Sequence, residues 1–409
     1  MRPAPGRWLT GLVLVATNLR PAIASVPPFA DQISADLHLS AAQMGLLTTL
    51  PVVCMGLFAP VGALASRRVG MERTVLGAMA LLGAGTLLRG FGGTAGLYAG
   101  TIAAGTGIAV AGALLPSLVR GRFPGRAGPV TGLYTAGLIG GAMVAAAATV
   151  PVANALGARW PVALQLWTVP ALVALLGWLP MTGAHTVPNV GAARHAGAPH
   201  ASAPHAAAPW RSTGAWLATL FMGGQSLLYY ASLAWLAPRY TSLGADPTRA
   251  GLLLGMFSFT QLFSALGLPL LAHRFGRIDV WIAASLATTS GSLVAIAVAP
   301  SAAAWLWAAL LGLGMGGQFA LALTVLAGLG ATPAETAAAS GMAFFVGYLL
   351  ASAGPVLAGA VYDLTGELRT PFLMLAGLGL ATLVAGAAAG RRALGESLRS
   401  GATLGGGST

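Results

Sequence analysis

The chain has no lysine, a single cysteine and only nine carboxylates in 409 residues, and charged residues make up 7% of it. So few polar side chains cannot cover a water-soluble core of this length, which excludes one soluble domain. The formal charge of +12 raises nucleic acid as a partner. However, the basic residues are all arginine, they sit in short gaps between apolar runs, and no run is interleaved with aromatics as a stacking platform requires. No nucleic-acid partner is expected. Cys54 lies inside an apolar run, so there is no intrachain disulfide and no thiolate metal cluster, and it reads as a small apolar packing residue. Four of the six histidines (His185, His195, His200, His205) fall in one low-complexity stretch, while His38 and His273 fall in turns. No nucleophile–base pair, metal-ligand spacing or nucleotide motif is present, so no catalytic residue, metal or cofactor is expected.

What the chain does have is apolar length. Hydrophobic residues make up 56%, and the mean hydropathy is +0.79. Segments long enough to span a bilayer recur at about 8–30, 42–65, 74–92, 96–119, 129–153 and 160–180. After a gap they resume at about 213–237, 248–272, 279–299, 302–328, 335–361 and 370–390. The first run lacks a small-residue cleavage site and is expected to be a retained helix. The gap, rich in Ala, Pro and His, reads as a flexible linker. The pattern predicts an all-α membrane protein with twelve transmembrane helices in two six-helix halves, residues 1–180 and 213–392. Residues 181–212 form the linker and 393–409 a tail. Fifteen arginines fall on the side of the N-terminus, the linker and the tail, and four fall on the other side. The positive-inside rule then places both termini and the linker in the cytoplasm of a multi-pass inner-membrane protein.

The organising stretch is Asn18-Leu19-Arg20-Pro21, a polar knot that, with the prolines after it, breaks the first apolar run. Arg20 lies roughly 18 Å along the helix from Trp8, near the middle of an approximately 30 Å hydrocarbon core. An arginine there costs about 2.5–3.5 kcal/mol to insert, so it must face protein or a watery cavity. The carboxylates (Asp31, Asp36, Glu72, Asp246, Asp279, Glu335, Asp363, Glu367, Glu396) all fall at helix ends or in loops. At membrane depth Arg20 thus meets no obvious acid, and the buried acidic relay common in proton-driven transport is missing. Arg89, about 22 Å along its own helix from Thr74, is the second arginine within a span. Its long side chain can serve the substrate directly or snorkel to the outer interface.

Two loops repeat a pattern. Ser66-Arg67-Arg68-Val-Gly70-Met71-Glu72-Arg73 follows the second span, and His273-Arg274-Phe-Gly276-Arg277-Ile-Asp279 follows the eighth. Each places Arg-x-Gly in a tight cytoplasmic turn followed by an acid. Such a turn can pair arginines with the acid or with helix C-terminal carbonyls and act as a gate latch. Plain positive-inside anchoring is the alternative. The loops resemble, as degenerate copies, the signature loop of the major facilitator superfamily, which has an Asp where Ser66, Arg67 or His273 stands.

Asn18-Leu-Arg-Pro21 is in turn similar to the opening signature of the cyanate/2-nitroimidazole transporter family within that superfamily. Further stretches fit the same family: Leu50-Pro-Val-Val53 with Met55-Gly56, Leu87-Leu-Arg89, Leu115-Pro-Ser117 followed by Arg120 and Arg122, Tyr230-Ala-Ser-Leu233, and Gly312-Leu-Gly-Met-Gly-Gly317. Where that family's pattern places glutamines in spans four and eleven, this chain has Gly112 and Val346, which points to a different solute. The resemblance implies the major facilitator fold, with its halves related by pseudo-symmetry and no enzymatic activity. First and seventh spans are then equivalent, so Gln225, at the depth of Arg20, could face it across a central cavity. Substrate-binding candidates are Arg20, Asn18, Gln225, Gln318, Tyr229, Tyr230, Tyr134, Phe344, Tyr348 and Arg89. The cytoplasmic gate candidates are Arg67, Arg68, Gly70, Arg73, His273, Arg274, Gly276 and Arg277. The glycine runs 137–141 and 312–317 are expected to let helices approach closely.

The implied function is secondary transport of a small, cyanate-like anion by alternating access, by a monomer whose partners are its solute and membrane lipid. The alternative is efflux of a nitro-heteroaromatic or other weakly polar compound. A polytopic sensor would need a signalling domain, and the linker and tail are too short and too biased in composition to form one. A membrane enzyme would need a convergent acid, base or metal.

Overall fold

In hydrocarbon every backbone N–H and C=O must find its partner within the protein, so each apolar run is expected to be helical. The computed structural model describes residues 5–183, 209–329 and 333–404, and these contain helices and no strand. Most of the expected linker (184–208) and the last five tail residues (405–409) lie outside the described residues.

The first span is not one helix. It comprises α1 (Pro5–Asn18), α2 (Pro21–Ala24), a 3-10 turn at Pro27–Phe29 and α3 (Ala30–Leu37). Three prolines cause this, since Pro21, Pro27 and Pro28 have no N–H to donate one turn back. The Val26 N–H bonds to the Ile23 carbonyl at 3.4 Å, and so leaves the Ala22 carbonyl to other donors. Next come α4 (Ala41–Val69), α5 (Met71–Leu88), α6 (Gly93–Arg122), α7 (Ala127–Ala155), α8 (Trp160–Gln165) and α9 (Thr168–Trp178). Beyond the undescribed stretch run α10 (Thr213–Thr241), α11 (Pro247–Phe275), α12 (Ile278–Val298), α13 (Ala304–Gly316), α14 (Gln318–Ala327), α15 (Pro333–Thr365) and α16 (Arg369–Leu404). The final helix therefore runs twelve residues past Arg392, into the expected tail.

Among the described residues, eleven helical stretches are long and apolar enough to cross a membrane. The twelfth, α10, has 29 residues; Gln225, Ser226, Tyr229, Tyr230 and Ser232 dilute its hydropathy. The starts of α4 and α11 are well capped. Ser40 and Gln43 form a reciprocal capping box, and Asp246 accepts the Thr248 and Arg249 N–H groups at 2.9 and 3.1 Å. Those two bonds, the Thr248 one foremost, hold the Asp246 carboxyl below its ordinary pKa.

Two compact units result. One holds Met1–Pro199 and Leu233–Ser258, the other His200–Ser232 and Phe259–Thr409. In the first unit α6 lies between α4 and α5 with bare backbone on both faces. A methyl on Gly105 would come within 2.7 Å of Pro51 Cα, and one on Gly107 within 2.8 Å of the Leu82 nitrogen. Gly141 of α7 likewise presents its backbone to the Thr17 carbonyl, the group Pro21 cannot satisfy. In the second unit a methyl on Gly314 would come within 3.0 Å of the Ser285 carbonyl, and one on Gly317 within 2.7 Å of the Ser264 carbonyl. The 137–141 and 312–317 runs thus serve close helix approach. Gly140 is the exception, with open space around it.

Candidate functional site

In the first unit the interruption of the first span gathers the polar groups. Asn18 closes α1, is buried, and donates Nδ2 to the Leu14 carbonyl at 2.8 Å. Arg20 caps α2 with its main chain: its carbonyl accepts the Ile23 and Ala24 N–H groups, both at 3.0 Å. Its side chain is half-buried. Tyr134, also half-buried, lies one turn before Gly137 on α7, and Gly137 meets Thr17 and Val13 of α1.

Arg89 reaches the same interruption from α5. It is 1% exposed, and Nη1 donates to the Ala22 carbonyl, the group set free by the proline-broken helix. Its aliphatic stem lies over Gly100 of α6, where a methyl would come within 3.0 Å of Cγ. The arginine does not snorkel outward; its terminus is held inside the unit.

In the second unit Gln225 is buried and turned toward its own helix, with Nε2 donating to the Met222 carbonyl at 3.0 Å and to Ser226 Oγ at 2.7 Å. Tyr229 and Tyr230 form an edge-on ring pair at 5.0 Å. Gln318 is fully buried at the interruption between α13 and α14, where Nε2 donates to Thr289 Oγ1 at 3.0 Å. Phe344 and Tyr348 stack at 6.0 Å, with Phe319 beside them at 6.5 Å from Phe344. Thr289 and Phe319 were not singled out from the sequence. Phe319 adjoins Gln318, but nothing local marks Thr289, since it lies 29 residues from its partner.

Both Arg-x-Gly turns pivot on a glycine with positive φ, 91° at Gly70 and 64° at Gly276, a region open to glycine at little cost. Their charges behave differently. Asp279 lies 3.4 Å from Arg277 and 3.9 Å from Arg391. In the first turn Arg67, Arg68 and Arg73 are exposed, while Glu72 is buried and turns to Arg122 at the end of α6, at 2.6 Å. The Arg122 guanidinium lies 4.0 Å from the centroid of the Trp8 ring. Trp8 meets Trp178 edge-on at 5.7 Å, and Trp178 Nε1 donates to the Glu72 carbonyl at 2.9 Å. The spacing of Glu72 suggested a partner within its own loop. The fold supplies one 50 residues away, and so ties α1, α5, α6 and α9 together.

A family model described as Major Facilitator Superfamily matches residues 12–238. A "2-nitroimidazole transporter" of Escherichia coli K12 is 36% identical over 386 residues, covering 94% of this chain and 95% of that one. The "Cyanate transport protein CynX" of the same organism is 29% identical over 357 residues, covering 87% and 90%. Among solved structures, a bacterial homologue of the human lysosomal transporter Spinster, inward-facing and unoccupied, matches with a TM-score of 0.73 at 16% identity, covering 97% of this chain and 99% of that one. That likeness speaks for the fold alone.

Proposed function

The chain belongs to the major facilitator superfamily of membrane transporters, and from that premise we propose that its solute is a small anion of the cyanate kind, bound near the membrane midplane at Arg20. The single observation that carries this reading is the half-buried guanidinium of Arg20 at the interruption of the first span. A broken helix lets polar groups line a cavity at membrane depth, and a cation there must be matched by a charge or by water. Alternating access would present Arg20 to each side in turn. The relatives named for cyanate and for 2-nitroimidazole support a small solute. The second of these names keeps efflux of a nitro-heteroaromatic as the competing reading. Uptake and efflux of cyanate and 2-nitroimidazole, measured side by side in proteoliposomes, test it. Transport of 2-nitroimidazole with no cyanate flux or competition would overturn the anion.

The coupling expected is exchange, facilitated diffusion or co-movement with a protonatable solute. Among the described acids Glu72 alone is buried, and it is the second residue of α5, engaged with Arg122. Counterflow of solute should therefore persist when no pH or sodium gradient is imposed. Exchange that vanishes whenever the gradient is collapsed would show that an acid elsewhere couples transport.

Orientation follows from the arginine bias. Cysteines placed at Ser202 and Ser400 should react with an impermeant maleimide from the cytoplasmic side alone, and one at Ser242 from the outer side alone. Cys54 is buried and contributes little background. Labelling of all three from one face would refute the twelve-span topology.

A further inference from the structure

Arg89 spends only part of its guanidinium on the fold. Nη1 donates to the Ala22 carbonyl, yet Nε and Nη2 are both buried without an acceptor. These two atoms are not an arbitrary pair. Nη1 lies on the Cδ side of the guanidinium, so Nε–H and Nη2–H share the opposite edge and point the same way as a side-on fork. That fork matches an anion with two acceptor atoms. The charge is also unmatched, because no carboxylate pairs with Arg89 among the described residues. A fully buried guanidinium without a counter-charge is among the costlier arrangements a fold can hold. One turn beyond Ala22, the Ser25 hydroxyl is 1% exposed and also lacks a partner. The next residues along, Val26 and Pro27, line a small cavity with Met44, Thr48 and Trp235.

We propose that Arg89 is a second anion-binding residue, gripping a small two-oxygen monoanion such as a carboxylate or nitrate side-on through Nε–H and Nη2–H. This reading of Arg89 does not rest on the solute assigned to Arg20. The fork is shut off from solvent in the conformation described, so the anion enters when the segment around Ala22–Phe29 moves. Nη1 then holds the Ala22 carbonyl while the other edge holds the ion. Occupancy and the shape of the broken span are linked through one side chain.

The test uses the purified full-length protein and three probes at equal ionic strength: formate, nitrate and chloride. Chloride has one atom and cannot give each of the two N–H groups its own acceptor. Formate and nitrate should raise the unfolding temperature saturably above the chloride control, by mass action on the folded state. Arg89→Lys keeps the charge and loses the fork, and should weaken the formate and nitrate response about tenfold or more. Arg89→Met, similar in length and uncharged, should abolish the response without leaving a buried charge. No stabilisation of the wild type beyond chloride would mean that water alone fills the site, and would overturn the proposal. So would a full response in Arg89→Lys or in Arg89→Met, because either result would assign the anion to another residue. If neither Arg89 variant folds, the wild type labelled with 15N at arginine Nε decides. One exchange-protected Nε–H signal should shift on adding formate, and the absence of any such shift would overturn the proposal.

Discussion

Arg20→Gln should lower solute affinity about ten- to a hundredfold, because a charge-assisted bond contributes roughly 1.5–3 kcal/mol against about 1 for a neutral one. The backbone geometry makes this a clean substitution. The break in the first span is made by Pro21, Pro27 and Pro28, and Arg20 caps α2 through its carbonyl, not its side chain. Glutamine keeps that carbonyl in place and removes only the guanidinium. Arg20→Lys should restore part of the loss, since lysine keeps the charge without the planar fork. If Arg20 served only to tie down neighbouring groups, both variants would fold poorly while the surviving protein bound solute normally. Affinity measured beside thermal stability separates the two cases. A well-folded Arg20→Gln protein with unchanged affinity would remove Arg20 from the site.

Breaking the Glu72–Arg122 pair should lower stability by about 3–5 kcal/mol for either partner. Glu72 is 1% and Arg122 17% exposed, so removing one member leaves the other charged in a site with little water. Glu72→Gln can still accept from Arg122 but cannot balance its charge. Arg122→Gln strands the carboxylate and also takes the guanidinium off the Trp8 ring. The double replacement Glu72→Met with Arg122→Met should recover much of the loss, because an apolar pair carries no desolvation penalty. Denaturant or thermal unfolding of the two single variants and the double variant closes the cycle. Single variants within about 1 kcal/mol of the wild type would show that the pair is solvated in practice and contributes little.

Much of the architecture is a one-dimensional property and could be read in advance. Hydrocarbon forces an apolar run of sufficient length into a helix whatever its neighbours, so composition and run length lead to the all-α membrane fold. The family follows from motifs as local as Asn18-Leu-Arg-Pro21. Proline removes an N–H wherever it stands, so the interruption at Arg20 was legible too, as were Gly70 and Gly276 at turns that demand positive φ. The partners of the buried polar groups were not legible. Glu72 meets Arg122 across 50 residues, Arg89 meets the Ala22 carbonyl across 67, and Gln318 meets Thr289 across 29. Each pairing depends on which faces of separate helices come together, and that is decided by bare glycine backbone at contacts such as Gly100 and Gly314. Hydropathy carries no such information, because almost every face of these helices is apolar. Sequence alone determined that this chain crosses the membrane as helices and where the first of them breaks. Tertiary structure alone decided which buried charges are matched, since matching is a distance in space and not along the chain.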